Sequence, residues 1–256
     1  QALVLAALCG AIIWNLFTWY LGLPSSSSHA LIGGLIGAAI CHNGLSSLNG
    51  LSILKKVLLP LVLTPLIGFT VSYIVMTLLM FLFWKAHRQR ITRWFSKLQI
   101  LSAAFVAISN GLNDAQKTMG IIALALFLFQ RIDTIYIPLW VKLVCALAMA
   151  LGTATGGWKI IKTMGHRIFK LEPAHGFAAE TSAALVITGA SMVGAPISTT
   201  HVATASIFGV GVTKRFSAVR WGIAGNLVIA WILTIPASAL IAALCYYLLL
   251  PFVPGG

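Results

Sequence analysis

Two stretches of this chain carry the same interruption. Gly22-Leu23-Pro24-Ser25-Ser26-Ser27-Ser28-His29 and Gly194-Ala195-Pro196-Ile197-Ser198-Thr199-Thr200-His201 each break an apolar run with Gly-x-Pro and open another with hydroxyl residues and a histidine. The likeness continues outward. A small-residue apolar stretch follows each histidine (30–40 and 202–212), and beyond it a long apolar segment carries Thr and Pro near its middle (Thr64-Pro65; Thr234-Ile235-Pro236). A duplication of this size obliges the chain to build two similar units.

The local physics of the motif is that of a helix start. Proline cannot continue a helix through its own position, but it fits the first turn of a new one. The Ser and Thr residues that follow lie where backbone N–H groups have no intrahelical partner. Adjacent N–H groups, hydroxyls and the positive end of a helix dipole together form an anion site. Within lipid, such broken backbone persists only where it lines a cavity or is buried in protein. Interrupted helices at corresponding places in two halves point to the binding site of a secondary transporter.

Composition supplies the lipid. The chain is 59% hydrophobic and 8% charged, with mean hydropathy +0.98, which predicts an all-α integral membrane protein. The net charge of +13 would indicate nucleic-acid binding in a soluble protein. Here the basic residues gather between apolar runs, at 85–97, 159–170 and 214–220, as cytoplasmic loops do, so no nucleic-acid partner is expected. Cys9, Cys41, Cys145 and Cys245 are isolated and read as packing residues. Of the four acids, Asp114 and Glu180 fall inside apolar segments, where an ionisable group is costly and signals function.

The apolar pattern predicts two inverted repeats with broken helices and two re-entrant helical hairpins. Residues 1–84 form the C-terminal part of the first repeat, with a hairpin at 1–40 and a span at 57–83. A basic cytoplasmic linker occupies 85–97. Residues 98–256 form the second repeat, with a broken helix at 98–130, a span at 138–156, a hairpin at 174–212 and a span at 221–249. The break in 98–130 is expected at Ser109-Asn110-Gly111-Leu112-Asn113-Asp114, because Gly and Asn are poor helix formers and Asn113-Asp114 suits a cap. Keeping every basic cluster on one side requires 174–212 to dip and return. Hairpin 1–40 then enters from the opposite face.

Gly111-Leu112-Asn113-Asp114-Ala115-Gln116-Lys117-Thr118-Met119-Gly120, together with the twin Pro-x-Ser-x-x-His elements at 24–29 and 196–201, resembles the signature of the inorganic phosphate transporter (PiT) family. The resemblance covers essentially the whole chain. It departs in one respect: that family carries two Asn-Asp signatures, and only the second is present, so the first is expected upstream of Gln1. The resemblance implies phosphate held between two hairpin tips at mid-membrane. It also implies symport with Na+ or H+ at a plasma or inner membrane.

The residues assign the roles. Ser26, Ser27, Ser28, Ser198, Thr199 and Thr200 are expected to bind phosphate through hydroxyls and backbone N–H groups, against the plainer reading as ordinary N-caps. Asn113 and Asp114 are expected to hold the coupling cation, as candidate Na+ ligands, and Asp114 thereby adjoins the phosphate. Glu180 is a second cation or proton site, and Asn110 and Gln116 are weaker candidates. Lys117 either attracts the anion or neutralises Asp114. His29 and His201 are expected to hold the tips in shape, and no cofactor is expected. Ser and His adjacent on one helix do not supply the separate nucleophile, base and orienting acid of a hydrolase, so no enzyme is expected. The partners are inorganic phosphate and membrane lipid; a homo-oligomer is left open. A carrier or channel for another oxyanion such as sulfate is the competing reading.

Overall fold

The computed structural model describes every residue except Val193, Ala195, Pro196 and 254–256, and the side chain of His166. The described residues are helical, without strands: α1 (Ala2–Leu21), α2 (Ser27–Asn43), α3 (Gly50–Ile53), α4 (Leu59–Leu82), α5 (Arg88–Leu128), α6 (Leu139–Gly156), α7 (Trp158–Lys162), α8 (Pro173–Met192), α9 (Thr199–Lys214) and α10 (Trp221–Leu249). Among the described residues, five helical stretches are long and apolar enough to cross a membrane: Ala2–Leu21, Gly50–Leu82, Arg88–Leu128, Leu139–Gly156 and Trp221–Phe252.

The chain forms two compact units, one of Gln1–Ile53, Asp114–Lys159 and Leu227–Gly256, the other of Leu54–Asn113 and Ile160–Asn226. Each draws on both halves of the sequence. The hairpin α1–α2 shares its unit with the Pro236-bearing part of α10, and the hairpin α8–α9 shares its unit with α4, which carries Pro65.

In both units the packing is inverted relative to a water-soluble protein. On α4 the buried residues are Thr64, Gly68, Ser72 and Met76, every fourth position, while Leu63, Leu66, Ile74 and Leu78 face outward. On α10 the same spacing buries Thr234, Ser238, Ala242 and Tyr246, and exposes Ile232, Leu233 and Leu240. Lipid is as apolar as Leu, so helices gain by burying small and hydroxyl residues that let backbones approach. The hydroxyls are satisfied within their own helix, Thr64 donating to the Pro60 carbonyl at 2.8 Å and Thr234 to that of Ala230 at 2.7 Å.

In the first unit, a Cβ on Gly34 would overlap the Ala7 carbonyl, and one on Gly37 the Ala239 carbonyl, so these glycines set the approach of α2 to α1 and α10. Around them pack Ala2, Ala6, Ala7, Ala38 and Tyr246. The Tyr246 hydroxyl meets His42 Nδ1 at 2.8 Å. In the second unit Gly209 plays the same part, lying against the Phe69 carbonyl and Ser72, and Ser206 donates to the Gly68 carbonyl at 3.3 Å.

The break expected within 98–130 is not formed: α5 is a single α-helix of 41 residues through Ser109–Asp114. Two of the polar side chains in this stretch, Ser109 and Asn113, have partners on α8. Ser109 Oγ lies 2.9 Å from the Phe105 carbonyl and 3.0 Å from Thr188 Oγ1, and Asn113 Nδ2 donates to Ser191 Oγ at 2.8 Å. A helix interrupted in lipid must find partners for its freed backbone groups, and continuing the helix supplies them all. Asn113-Asp114 is therefore not a cap. At roughly 60 Å, α5 is also about twice the thickness of the hydrocarbon. The linker expected over 85–97 is helical from Arg88 onward.

Candidate anion and cation sites

The two motif copies fold into the same cap. In the first, Gly22 turns left-handed at φ 69° and closes α1. Ser26, with φ −93° and ψ 112°, then caps α2 by accepting from the His29 N–H at 3.2 Å. In the second, Gly194 is left-handed at φ 66°, while Ala195 and Pro196 lie outside the described residues. Ser198, with φ −94° and ψ 109°, caps α9 by accepting from the His201 N–H at 3.3 Å. Both histidines are buried. The serine hydroxyl thus takes the third N–H of the first turn in each helix.

The tips differ in what surrounds them. Ser26 is buried, Ser28 half-buried and Ser27 exposed, facing a cavity of about 530 Å³ inside the first unit. That cavity is walled mainly by aliphatic side chains, with Asn15, Ser27, Thr118 and Arg131 its polar members. Trp231 Nε1 donates to the Pro24 carbonyl at 3.0 Å, and Ser25 Oγ lies 2.7 Å from Thr18 Oγ1, so the turn is held from two sides. At the second tip Ser198 and Thr199 are buried and Thr200 half-buried. Ile197 and Val202 anchor this tip among Ala183 and Ile187.

Asp114 belongs to the first unit. Lys117, one turn along α5, donates to Asp114 Oδ1 at 3.3 Å and to Ser28 Oγ at 2.7 Å. Asp114, Lys117 and the first tip thus form one cluster.

Asn113 points elsewhere. Successive helical side chains diverge by about 100°, and Asn113 faces α8 in the second unit. There α5 and α8 run parallel and are joined by a ladder of polar contacts. Ser102 donates to Glu180 Oε2 at 2.5 Å and Gln99 to Oε1 at 3.4 Å; Ser109 meets Thr188, and Asn113 meets Ser191. Glu180 and Ser191 stand about 17 Å apart along α8, so Glu180 is not at Asn113. Its carboxylate is instead bonded by Ser102 and Gln99. Backbone carbonyls freed by a broken helix are not available to a cation at 109–114. The acceptors present are the side-chain oxygens Asn110 Oδ1 and Asn113 Oδ1, both buried without a hydrogen-bond partner. Two unpartnered carboxamide oxygens one turn apart are a donor set suited to a hard cation.

The ladder residues Gln99, Ser102, Thr188 and Ser191 do not stand out in the sequence. Their only signal is a hydroxyl or amide isolated within an apolar run.

A profile of the phosphate transporter family (PHO4) matches residues 1–242. The chain belongs to the phosphate transporter family. Over 245 residues it is 48% identical to a Rhizobium meliloti protein named as a probable low-affinity inorganic phosphate transporter, covering 95% of this chain and 73% of that one. A Bacillus subtilis protein of the same name is 44% identical over 250 residues, covering 97% of this chain and 75% of its own. A solved structure titled as the sodium-dependent phosphate transporter superposes with a TM-score of 0.87 at 24% identity, over 98% of this chain and 80% of that chain. That last likeness shows the fold. The transporter is an all-helical, multi-pass integral membrane protein that carries phosphate, and it is not an enzyme.

Proposed function

We propose that the transporter moves inorganic phosphate by symport with a cation, Na+ or H+, and that the anion is received on the helix starts Ser26–Ser28 and Ser198–Thr200. The observation that carries this reading is the shared cap. Two helix starts with matching dihedrals each present hydroxyls and first-turn N–H groups next to a left-handed glycine turn. Preformed donors of this kind replace the hydration shell of a tetrahedral anion without reorganisation. Mid-membrane depth is supported at the first tip, where Ser28 is tied to Lys117. Lys117 lies about 17 Å along α5 from Leu128, near half the hydrocarbon thickness.

The coupling cation is assigned to Asp114 in the first unit, and Asn113 and Glu180 in the second unit are separate candidate cation or proton sites. A carboxylate and unpartnered carboxamide oxygens suit Na+, and a carboxylate alone suits a proton. Phosphate still donates a proton near neutral pH and sulfate does not, so buried acceptors favour phosphate over other oxyanions. The deciding measurement is uptake of radiolabelled phosphate into proteoliposomes, with the sodium and proton gradients imposed one at a time. Accumulation driven by one gradient is expected. Uptake that merely equilibrates under both, or that sulfate supports equally, would overturn symport of phosphate.

A further inference from the structure

We propose that Lys117 is a tethered counter-ion that couples the two substrates: its ammonium neutralises Asp114 while the site is empty and passes to the phosphate at Ser28 when the coupling cation takes the carboxylate. The inference rests on the reading of Ser28 as a phosphate ligand and Asp114 as the cation ligand, and it deepens that reading. The geometry that points to it lies within the first unit. Lys117 Nζ bridges Asp114 Oδ1 at 3.3 Å and Ser28 Oγ at 2.7 Å, and both partners are side chains.

Three features of the bridge matter. An ammonium is a compact charge on a flexible stem, so it changes partner by rotation without moving the helix that bears it. It can only donate, so Ser28 Oγ accepts from it, and the Ser28 O–H is left to donate outward, to an anion oxygen. Lys117 and Asp114 are both largely shielded, with side-chain exposures of 23% and 21%, so a charge displaced from one partner needs another close by. The cation would therefore compete with Lys117 for one carboxylate, and phosphate would compete with Asp114 for one ammonium. Each substrate removes the competitor of the other, which is positive coupling, and such coupling is reciprocal.

This differs from a lysine that only attracts the anion, because such a residue would raise phosphate affinity equally with and without cation. It differs also from a purely structural ion pair, whose loss would leave the cation dependence of binding in place. The test is phosphate binding by the purified transporter, titrated with and without saturating coupling cation and read with radiolabelled phosphate at equilibrium. The wild-type chain is expected to bind phosphate about tenfold more tightly with the cation, within the usual range of coupling. Lys117→Met is expected to bind phosphate with the same affinity in both conditions, and Lys117→Arg, which keeps the charge, to retain the dependence. If Lys117→Met does not insert, Lys117→Gln is read in the same assay.

Cation dependence of wild-type size in the neutral variants would overturn the proposal, as would its absence from the wild-type chain. Failure of the function reading looks different: the wild-type chain would then bind or take up no phosphate under any cation.

Discussion

Asp114 stands one helical turn before Lys117, and the ammonium it shares with Ser28 joins a carboxylate on α5 to the first residues of α2. Replacing the carboxylate by an amide of the same shape keeps the packing and removes the charge. Asp114→Asn is therefore expected to bring phosphate uptake to background while the protein still inserts, checked by radiolabelled uptake beside quantification in the membrane fraction. Thr200→Ala should do the same from the second tip, because Thr200 is a first-turn hydroxyl of α9 whose carbonyl is already taken by Thr204 Oγ1 at 2.7 Å. Normal uptake in either variant would remove the site assignment. These residues stood out in the sequence for a physical reason: an acid or a hydroxyl cluster inside an apolar run has no other use for the cost of its burial. Ser191 and Ser102 had no such mark, because one serine among Ala and Ile is a common filler. Their roles emerge only when α5 lies beside α8.

The helices themselves were mostly legible from their ends. The Gly turns at Gly22 and Gly194, the prolines after them and the basic residues flanking the spans delimit α1, α2, α8, α9 and α10 within a few residues. The failure is at Ser109–Asp114. Low local propensity predicted a break there, and side-chain partners on a neighbouring helix overrode it. Helix propensity is worth at most about 1 kcal/mol per residue, less than the cost of leaving backbone groups unsatisfied in lipid. Two substitutions separate these views. Gly111 has nothing within 4 Å of where a Cβ would stand. Gly111→Ala should then stabilise the continuous helix by about 1 kcal/mol, seen as a higher unfolding midpoint in detergent; a lower midpoint would mean that α5 needs to bend at this point. Gly37→Val is expected to act in the opposite sense. Its side chain would meet the Ala239 backbone, and overpacking of this kind costs about 1–3 kcal/mol. The checks are a lowered midpoint and reduced yield of inserted protein.

At the scale of the molecule, the charge pattern sets how the chain threads the bilayer. Lys85–Lys97, Lys159–Lys170 and Lys214–Arg220 are expected on the cytoplasmic side, and the loop at 131–137 outside. Single cysteines placed in a chain lacking Cys9, Cys41, Cys145 and Cys245 test this. Gln89→Cys and Ser217→Cys should react with an impermeant maleimide only after permeabilisation, and Thr134→Cys without it. Labelling of Ser217→Cys from outside would show that 174–212 crosses the membrane rather than returning. The ion pairs of Glu172 with Arg88 at 3.1 Å and Lys214 at 3.7 Å are exposed, and pairs of that kind add at most about 1 kcal/mol.

The sequence by itself determined that this chain lives in lipid, that it carries one interrupted motif twice, and that each copy starts a helix with hydroxyls. All three follow from local rules: hydropathy, glycine and proline geometry, and capping. Tertiary structure alone decided that each hairpin packs with the proline-bearing helix of the other half, that α5 runs unbroken, and that Asn113 and Asp114 face different partners. Those outcomes depend on which backbones come close enough for a glycine to matter and which polar groups find each other across helices. No pattern along one segment records such distances.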